Sequence, residues 1–386
     1  MRRQSKWRDS ISFFYMLTAG ILLLSACGKT GQGGRNAGTD EQIGADFEYQ
    51  YIAESEEGYY FWEPMTESQF YPRLMFMDKE SGRVVPLCNK PDCPHEGEEC
   101  NAYYPKMTLG EDGIDRIDRY YLQYYEGNLY AVGFSSDGYA ALFRIKGDGS
   151  EWEISTKLYR TDYASTNIWE SPSVLINNGY VYFIDNKQTN MELERIPVGG
   201  GTAETVYEGD SHATFTDVHR LEGHDGAVFF QAVSFFDETS DYRSGALYRY
   251  DTASGQCRLI KEGIYGPYSV QNDFVYYGSG EGLCRYSIQE DTTEILSEAS
   301  MDVPNITLTQ DYIILCDQRG DGELIFYDYE GTKITSVSDE WEPRWYYGGN
   351  SRMLFAECWG GSYSAPCCLD LTCPLEQLQW KELKAD

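Results

Sequence analysis

A short phrase, mostly a turn-forming residue followed by two or three strongly β-forming residues, recurs seven times along the chain. The copies are EGYYFWE (57–63), GNLYAVG (127–133), NGYVYFI (178–184), DGAVFFQ (225–231), NDFVYYG (272–278), QDYIILC (310–316) and SRMLFAE (351–357). Their fourth positions, Phe61, Tyr130, Tyr182, Phe229, Tyr276, Ile314 and Leu354, are separated by 69, 52, 47, 47, 38 and 40 residues. A β repeat with a period of about 40–50 residues is typical of a propeller.

Three further segments accompany each phrase. A second segment follows the phrase along the chain. In copies such as ALFRIK (141–146) and ALYRYD (246–251), its apolar and polar residues alternate with the period of a strand. A hairpin turn and a short last strand follow, and another strand precedes the phrase. The pattern predicts an all-β fold, a β-propeller of seven blades with four antiparallel strands each, in which neighbouring blades bury each other's faces. Because the last copies are the weakest, six blades with a terminal hairpin stay open as the alternative.

The N-terminal segment has the character of an export signal. A basic start, MRRQSKWRDS, leads into the apolar run ISFFYMLTAGILLL, which ends at LSAC (24–27). These are the parts of a secretory signal peptide, and the small residues before Cys27 resemble the lipobox of bacterial lipoproteins. That resemblance implies removal of residues 1–26 and a diacylated Cys27 at the mature N-terminus. A plain signal peptide followed by a chance cysteine is the alternative.

The lipid anchor predicts where the chain lives. An acylated Cys27 would hold the protein on the extracytoplasmic face of the bacterial cell membrane without spanning it. Residues 27–45 are rich in Gly and otherwise mostly polar, with Gln, Asn and Thr among them, a composition that buries too little apolar surface to fold and so predicts a flexible tether. Residues 46–386 are then predicted to form one propeller domain.

Charge restricts the partners. The chain has 62 acidic and 31 basic residues, which gives a net charge of −31. A nucleic-acid backbone would repel such a protein, so charge argues against nucleic acid as a partner. We expect a monomer with a solvated acidic surface; acidic clusters that recruit cations or basic partners are the alternative.

The segment LCNKPDCPHEGEEC (87–100) concentrates three cysteines and one histidine. It opens an insertion at 88–115, between blades 1 and 2, which we expect over the channel entrance or in a groove between blades. The four side chains, Cys88, Cys93, His95 and Cys100, supply enough ligands for a tetrahedral, structural zinc ion. In an extracellular protein, a disulfide from Cys100 to Cys88 or Cys93 is an equal alternative. Unlinked thiols are the third interpretation.

A second group of cysteines lies near the C-terminus. Cys358 and the adjacent pair Cys367 and Cys368 flank the segment WGGSYSAP, which we expect to form a hairpin. Cysteines on the two arms of a hairpin can approach closely enough to be bridged. Cys358, Cys367 and Cys368 are therefore candidates for a cross-strand disulfide.

The whole chain resembles a group of β-propeller lipoproteins of Gram-positive anaerobes whose function is not established. The features they share are a lipobox, a Gly-rich tether, Tyr-rich strands and a segment like PLCNKPDC-x-H, matched here by Pro86–Cys93 and His95. The chain is also similar to a propeller domain of unknown function related to the propellers of the low-density-lipoprotein receptor. The resemblance covers most of the chain, and it implies fold and location without implying a reaction.

Two classes of function follow from this sequence. The first is a binding or interaction module, a lipid-anchored propeller that holds a peptide, a glycan or an envelope protein outside the cell. The second is an envelope hydrolase or lyase that uses paired carboxylates in the channel. A structural accessory to a membrane complex is a third interpretation. We favour the binding module because no recognisable catalytic motif accompanies the repeats.

Overall fold

The computed structural model describes residues 52–63, 73–97, 99–103, 116–161, 173–187, 190–236, 243–264, 266–279, 281–298, 305–316, 323–338, 342–349, 352–359 and 364–384. Within these ranges the chain forms 28 β-strands and one short 3-10 helix (Leu375–Gln377). None of the helical structure in this part of the chain is long and apolar enough to cross a membrane. The predicted signal peptide, Cys27, the tether and residues 104–115 of the insertion lie outside the described residues.

The strands form seven blades, each built from four consecutive strands. Blade 1 consists of β1 (Ile52–Glu54), β2 (Gly58–Trp62), β3 (Leu74–Asp78) and β4 (Val84–Pro86), and blade 2 of β5 (Arg116–Tyr125), β6 (Asn128–Phe134), β7 (Tyr139–Lys146) and β8 (Trp152–Arg160). Blade 3 consists of β9 (Val174–Asn177), β10 (Tyr180–Lys187), β11 (Asn190–Pro197) and β12 (Glu204–Tyr207), and blade 4 of β13 (Phe215–His224), β14 (Ala227–Phe235), β15 (Arg243–Asp251) and β16 (Gln256–Glu262).

The last three blades follow the same plan. Blade 5 consists of β17 (Tyr268–Gln271), β18 (Phe274–Ser279), β19 (Gly282–Ser287) and β20 (Thr292–Ser297), and blade 6 of β21 (Asn305–Leu308), β22 (Ile313–Cys316), β23 (Leu324–Tyr327) and β24 (Lys333–Val337). Blade 7 consists of β25 (Glu342–Gly349), β26 (Met353–Trp359), β27 (Ser364–Asp370) and β28 (Trp380–Glu382). All pairings within blades are antiparallel, as in β1–β2 and β26–β27.

These seven four-stranded sheets of the described chain confirm the predicted seven-bladed, all-β propeller, and the six-blade alternative is wrong. The fourth positions of the recurring phrase, Phe61 to Leu354, all lie on the second strands of their blades, as expected. The first strands line the inside of the ring, where β1 lies beside β5 and β25. The fourth strands form the outer rim, and β16 and β20 are largely exposed there.

Seven clusters of buried side chains fill the seven interfaces between neighbouring blades. In the cluster between blades 2 and 3, for example, Phe134 and Leu142 pack with Ile176 and Phe183. Each blade is therefore sandwiched between two neighbours, and its two faces are covered by different clusters. This explains why the second strands consist of consecutive apolar residues, all five of which are buried in β2.

The ring closes at the interface between blade 7 and blade 1, which we call the seam. Within the described residues the two sheets share no strand, because β1–β4 form one sheet and β25–β28 the other. The seam is held by side-chain packing, in which Phe355 of β26 contacts Tyr59 of β2 with their ring centroids 5.0 Å apart. Closure of this ring therefore depends on apolar contacts.

Hairpins of one blade pack tightly against the outer strand of the preceding blade. Gly149, in the hairpin between β7 and β8, has φ of +71°, and a Cβ there would lie 2.3 Å from the carbonyl oxygen of Leu87. Glycine is required at such a position because a side chain would meet both the left-handed backbone and the neighbouring carbonyl. This contact joins the end of blade 1 to the rim of blade 2, where the insertion begins.

Candidate metal centre and seam pocket

The four predicted ligands of the insertion lie together. The ligand atoms of Cys88, Cys93, His95 and Cys100 are all within 4.8 Å of one another. Nδ1 of His95 lies 3.4 Å from Sγ of Cys100. Around a tetrahedral zinc ion, the usual bond lengths place a nitrogen and a sulfur ligand ~3.6 Å apart and two sulfurs ~3.8 Å apart. The cluster therefore has the size of a site for one small metal ion.

The backbone of the insertion turns sharply between the ligands. Asp92, His95 and Gly97 have φ of 57°, 56° and 73°. For residues other than glycine such values are uncommon and cost conformational free energy. The bends let a short polar segment bring side chains from both of its ends to one point.

The end of the insertion is fixed to blade 1. Tyr103 forms an isolated β-bridge with Arg73, and the amide of Leu74 donates a 2.8 Å hydrogen bond to the carbonyl of Ala102. The amide of Ala102 in turn lies 3.4 Å from Sγ of Cys100 and points its hydrogen at the sulfur. Cys100 is consequently buried, whereas the other three ligands are half-buried.

The cluster also contacts blade 2. The side-chain amide of Asn89 donates to Oδ2 of Asp148 (3.1 Å), and that of Asn101 donates to Oδ1 of Asn89 (2.8 Å). Asp148 lies in the hairpin between β7 and β8, next to the glycine that touches Leu87. Of the two places expected for the insertion, its described part occupies the groove between blades, at the outer rim.

The thiols of the cluster have unequal acidity. Burial raises the pKa of the Cys100 thiol to about 12, and the adjacent sulfurs of Cys88 and Cys93 act in the same direction. Burial also acts to raise the pKa of Cys88, but hydrogen bonds from the backbone amides of Lys90 and Asn101, and from the other two thiols, bring it below its ordinary value. The Cys88 thiol therefore ionises more readily than the Cys100 thiol.

The C-terminal cysteines lie on the two central strands of blade 7. Cys367 and Cys368 are buried on opposite faces of β27, one in the cluster with blade 6 and the other in the seam. In the register of β26 and β27, Cys358 is opposite Ala365. The side chain of Cys358 lies outside the described part of the structure, so the cross-strand disulfide stays a prediction.

A cavity of about 480 Å³ opens at the seam, and we call it the seam pocket. Its apolar lining includes Met77 and Val84 of blade 1 and Met353 and Leu383 of blade 7. Tyr59 also lines it but is only 3% exposed. The sequence patterns did not predict this pocket, because its two halves come from opposite ends of the propeller sequence.

Charged side chains surround the apolar lining of the seam pocket. The basic ones are Lys79, Arg352, Lys381 and Lys384, and the acidic ones are Asp78, Asp370 and Glu382. Burial acts to raise the pKa of Asp370, but hydrogen bonds from Thr372 and the nearby charges of Lys381 and Arg352 lower it below the ordinary value. The chain has twice as many acidic as basic residues, yet this lining has four basic and three acidic side chains.

No protein-family model matches the chain, and a search of curated proteins gives no match. Several solved structures are similar to the chain. BamB from Moraxella catarrhalis is 14% identical, with 79% of this chain and 81% of that chain covered and a TM-score of 0.44. A prolyl endopeptidase structure is 10% identical, with 89% and 50% covered and a TM-score of 0.59. A nidogen–laminin complex is 10% identical, with 56% and 77% covered and a TM-score of 0.37.

The similarity to the prolyl endopeptidase concerns the fold. At 10% identity and a TM-score of 0.59, the prolyl endopeptidase shows the same arrangement of the backbone and nothing about chemistry. This chain spans half the length of that endopeptidase chain.

Proposed function

We propose that the chain is a lipid-anchored, extracytoplasmic propeller that binds a peptide segment of an envelope protein in the seam pocket. The observation that carries the proposal is the mixed lining of that pocket. Apolar side chains form one part of the wall, and four basic and three acidic side chains form another. A cavity of about 480 Å³ lies within the usual range of ligand sites.

The lining favours a peptide over a glycan. Met77, Met353 and Leu383 are unbranched or flexible apolar groups, and methionine in particular adapts its shape to different side chains. Sugar rings bind best against the exposed face of an aromatic ring, and the aromatic side chain of this lining, Tyr59, is almost wholly covered. A peptide offers both the apolar side chains and the charged or polar groups that this pocket would complement.

The export signal supports the proposed location. The LSAC motif would place a lipid on Cys27, and the polar segment that follows would separate the propeller from the membrane. The high negative charge of the chain would keep the propeller away from an anionic bilayer surface, leaving the pocket accessible to other envelope components.

The binding test uses the full chain and an array of peptides that tile envelope proteins, with affinities measured by fluorescence anisotropy. Lys381→Glu reverses one exposed charge at the pocket, so we expect at least ~10-fold weaker binding of acidic peptides, about 1.4 kcal/mol. Lys333→Glu, an exposed lysine on the outer strand of blade 6, is the matched control and should leave the affinity unchanged.

Equal weakening by both variants would mean that long-range charge, and not the pocket, governs binding. Binding of glycans in a parallel array, with no peptide bound, would contradict the proposed ligand class. Cleavage of any arrayed compound would replace the binding module by the alternative of an envelope hydrolase or lyase.

The anchor is tested separately. Replacing Cys27 by serine removes the sulfur that carries the lipid, so the variant should remain an unprocessed precursor and take up no label when cells grow with a tagged fatty acid. Cys257→Ser, which alters an exposed cysteine on β16, should be labelled like the unaltered chain. Label retained in Cys27→Ser would show that the lipid is attached elsewhere.

A further inference from the structure

We propose that Cys88, Cys93, His95 and Cys100 bind one zinc ion, which fastens the insertion to the outer rim of blades 1 and 2. The proposal rests on the convergence of four ligand atoms, all within 4.8 Å of one another, from a segment with no core of its own. It is independent of what the seam pocket binds.

The histidine distinguishes zinc from a disulfide. A disulfide would join two sulfurs about 2.05 Å apart and would leave His95 without a role. In the structure, the imidazole of His95 is turned toward the thiols, with Nδ1 3.4 Å from Sγ of Cys100. Coordination of a metal by Nδ1 accounts for this orientation of the ring.

The groups around the ligands also suit a thiolate–metal site. The amide of Ala102 points at the sulfur of Cys100, and a hydrogen bond of this kind stabilises the charge of a metal-bound thiolate. The guanidinium of Arg73 is 3.5 Å from the carbonyl oxygen of His95 and helps to hold that residue in position. On binding zinc, the three thiols would release their protons to solvent, and the neutral imidazole would donate its Nδ1 lone pair.

Four protein ligands complete a tetrahedral shell and leave no open position for water or substrate. A zinc ion held in this way is structural, not catalytic. Its place in the fold indicates its role, because Asn89 lies between Cys88 and Cys93 in sequence and hydrogen-bonds Asp148 of blade 2. The ion would therefore order the segment that joins the rims of two blades.

The first experiment measures metal and thiols in the same sample of the full chain. Elemental mass spectrometry should find one zinc per chain. After denaturation in the presence of a chelator, alkylation should modify Cys88, Cys93 and Cys100, which shows that none of the three forms a disulfide. A disulfide among these three cysteines with no bound metal would overturn the proposal. Fully reduced cysteines with no bound zinc would overturn it as well.

Variants of the ligands provide the controls. His95→Asn should lose most of the zinc, whereas His95→Cys, which restores a fourth ligand, should retain it. Cys257→Ser changes an exposed cysteine on β16 and should keep one zinc per chain. If Co²⁺ replaces zinc, a thiolate-to-cobalt charge-transfer band and intense visible bands of tetrahedral cobalt should appear in the unaltered chain. Their absence in a folded, cobalt-loaded sample would contradict a thiolate-rich tetrahedral site.

Hydrogen exchange tests whether the zinc ion holds the insertion against blades 1 and 2. Removing zinc with a chelator should increase amide hydrogen exchange at 99–103 and at the hairpin around Gly149, while the hairpin around Gly331, on the rim of blade 6, stays unchanged. Removal of zinc without any change at 99–103 would show that the ion does not order the insertion.

Discussion

Phe355→Ala is expected to open the propeller at the seam and to lower the free energy of unfolding by about 3–5 kcal/mol, the usual cost of removing a buried phenylalanine ring. Phe355 is 1% exposed and packs against Tyr59 of blade 1. Because blades 7 and 1 share no strand within the described chain, side-chain contacts of this kind hold the ring closed. The loss should be felt more at the seam than at the other interfaces, because Phe355 packs in the cluster of the seam.

Urea denaturation measures the change in the free energy of unfolding, and hydrogen exchange locates it. We expect faster exchange in β2 and β26, on both sides of the seam, before the rest of the ring responds. Leu259→Ala is the control, because Leu259 is a large apolar residue that is 46% exposed on β16 and its loss should cost less than about 0.5 kcal/mol. If Phe355→Ala were equally mild, closure would have another source.

The propeller was predictable from the sequence because a blade repeats its pattern in every copy. The second strands are buried on both faces, so they appear as runs such as YYFW and YVYF that begin after a turn residue. The sequence patterns did not predict the ion pairs that join the third and fourth strands of three blades. Arg144 pairs with Glu153, Arg195 with Glu204, and Arg285 with Glu294.

These ion pairs join residues nine positions apart that face each other across a hairpin. The sequence shows the nine-residue spacing, but it does not show the hairpin register that places each arginine opposite its glutamate. In blade 4 the corresponding position opposite Arg249 is Arg258, so the pairing is not a rule of the repeat. The pairs lie at the surface, where each contributes little to stability.

One candidate site was predictable from the sequence and the other was not. Cys88, Cys93, His95 and Cys100 were grouped from the sequence because they are close neighbours along the chain. The course of the insertion could not be predicted, since it depends on contacts with Asp148 and Gly149, about sixty residues further along. The seam pocket was unpredictable for a stronger reason. Met77 and Met353 line it together only because the ring closes.

Polar side chains also connect blades, and the clearest case is Gln123. It lies in β5, the inner strand of blade 2, and is 1% exposed. Its side-chain amide donates a 2.9 Å hydrogen bond to the carbonyl of Ile176, and its side-chain oxygen accepts a 2.8 Å bond from the amide of the same residue. Ile176 lies in β9, so one side chain provides the hydrogen bonds that two paired strands would otherwise make.

Gln123→Leu should lower the free energy of unfolding by about 2–4 kcal/mol. Leucine has a similar volume, but it leaves the amide and the carbonyl of Ile176 buried without partners, and each unsatisfied group costs about 1–3 kcal/mol. The hydroxyl of Tyr121, which donates to the Gln123 oxygen, loses its acceptor as well. Urea denaturation of the variant measures the total.

A matched control and a double-mutant cycle separate the hydrogen bonds from the change in shape. Gln289→Leu alters an exposed glutamine that hydrogen-bonds Asp273 at the surface, and it should change the free energy of unfolding by less than about 0.5 kcal/mol. Combined with Tyr121→Phe, Gln123→Leu should cost less than the sum of the two single changes, because both remove the same hydrogen bond. Full additivity would show that the hydrogen bond to Tyr121 contributes nothing to stability. A cost for Gln123→Leu as small as that for Gln289→Leu would show that this side chain does not connect blades 2 and 3.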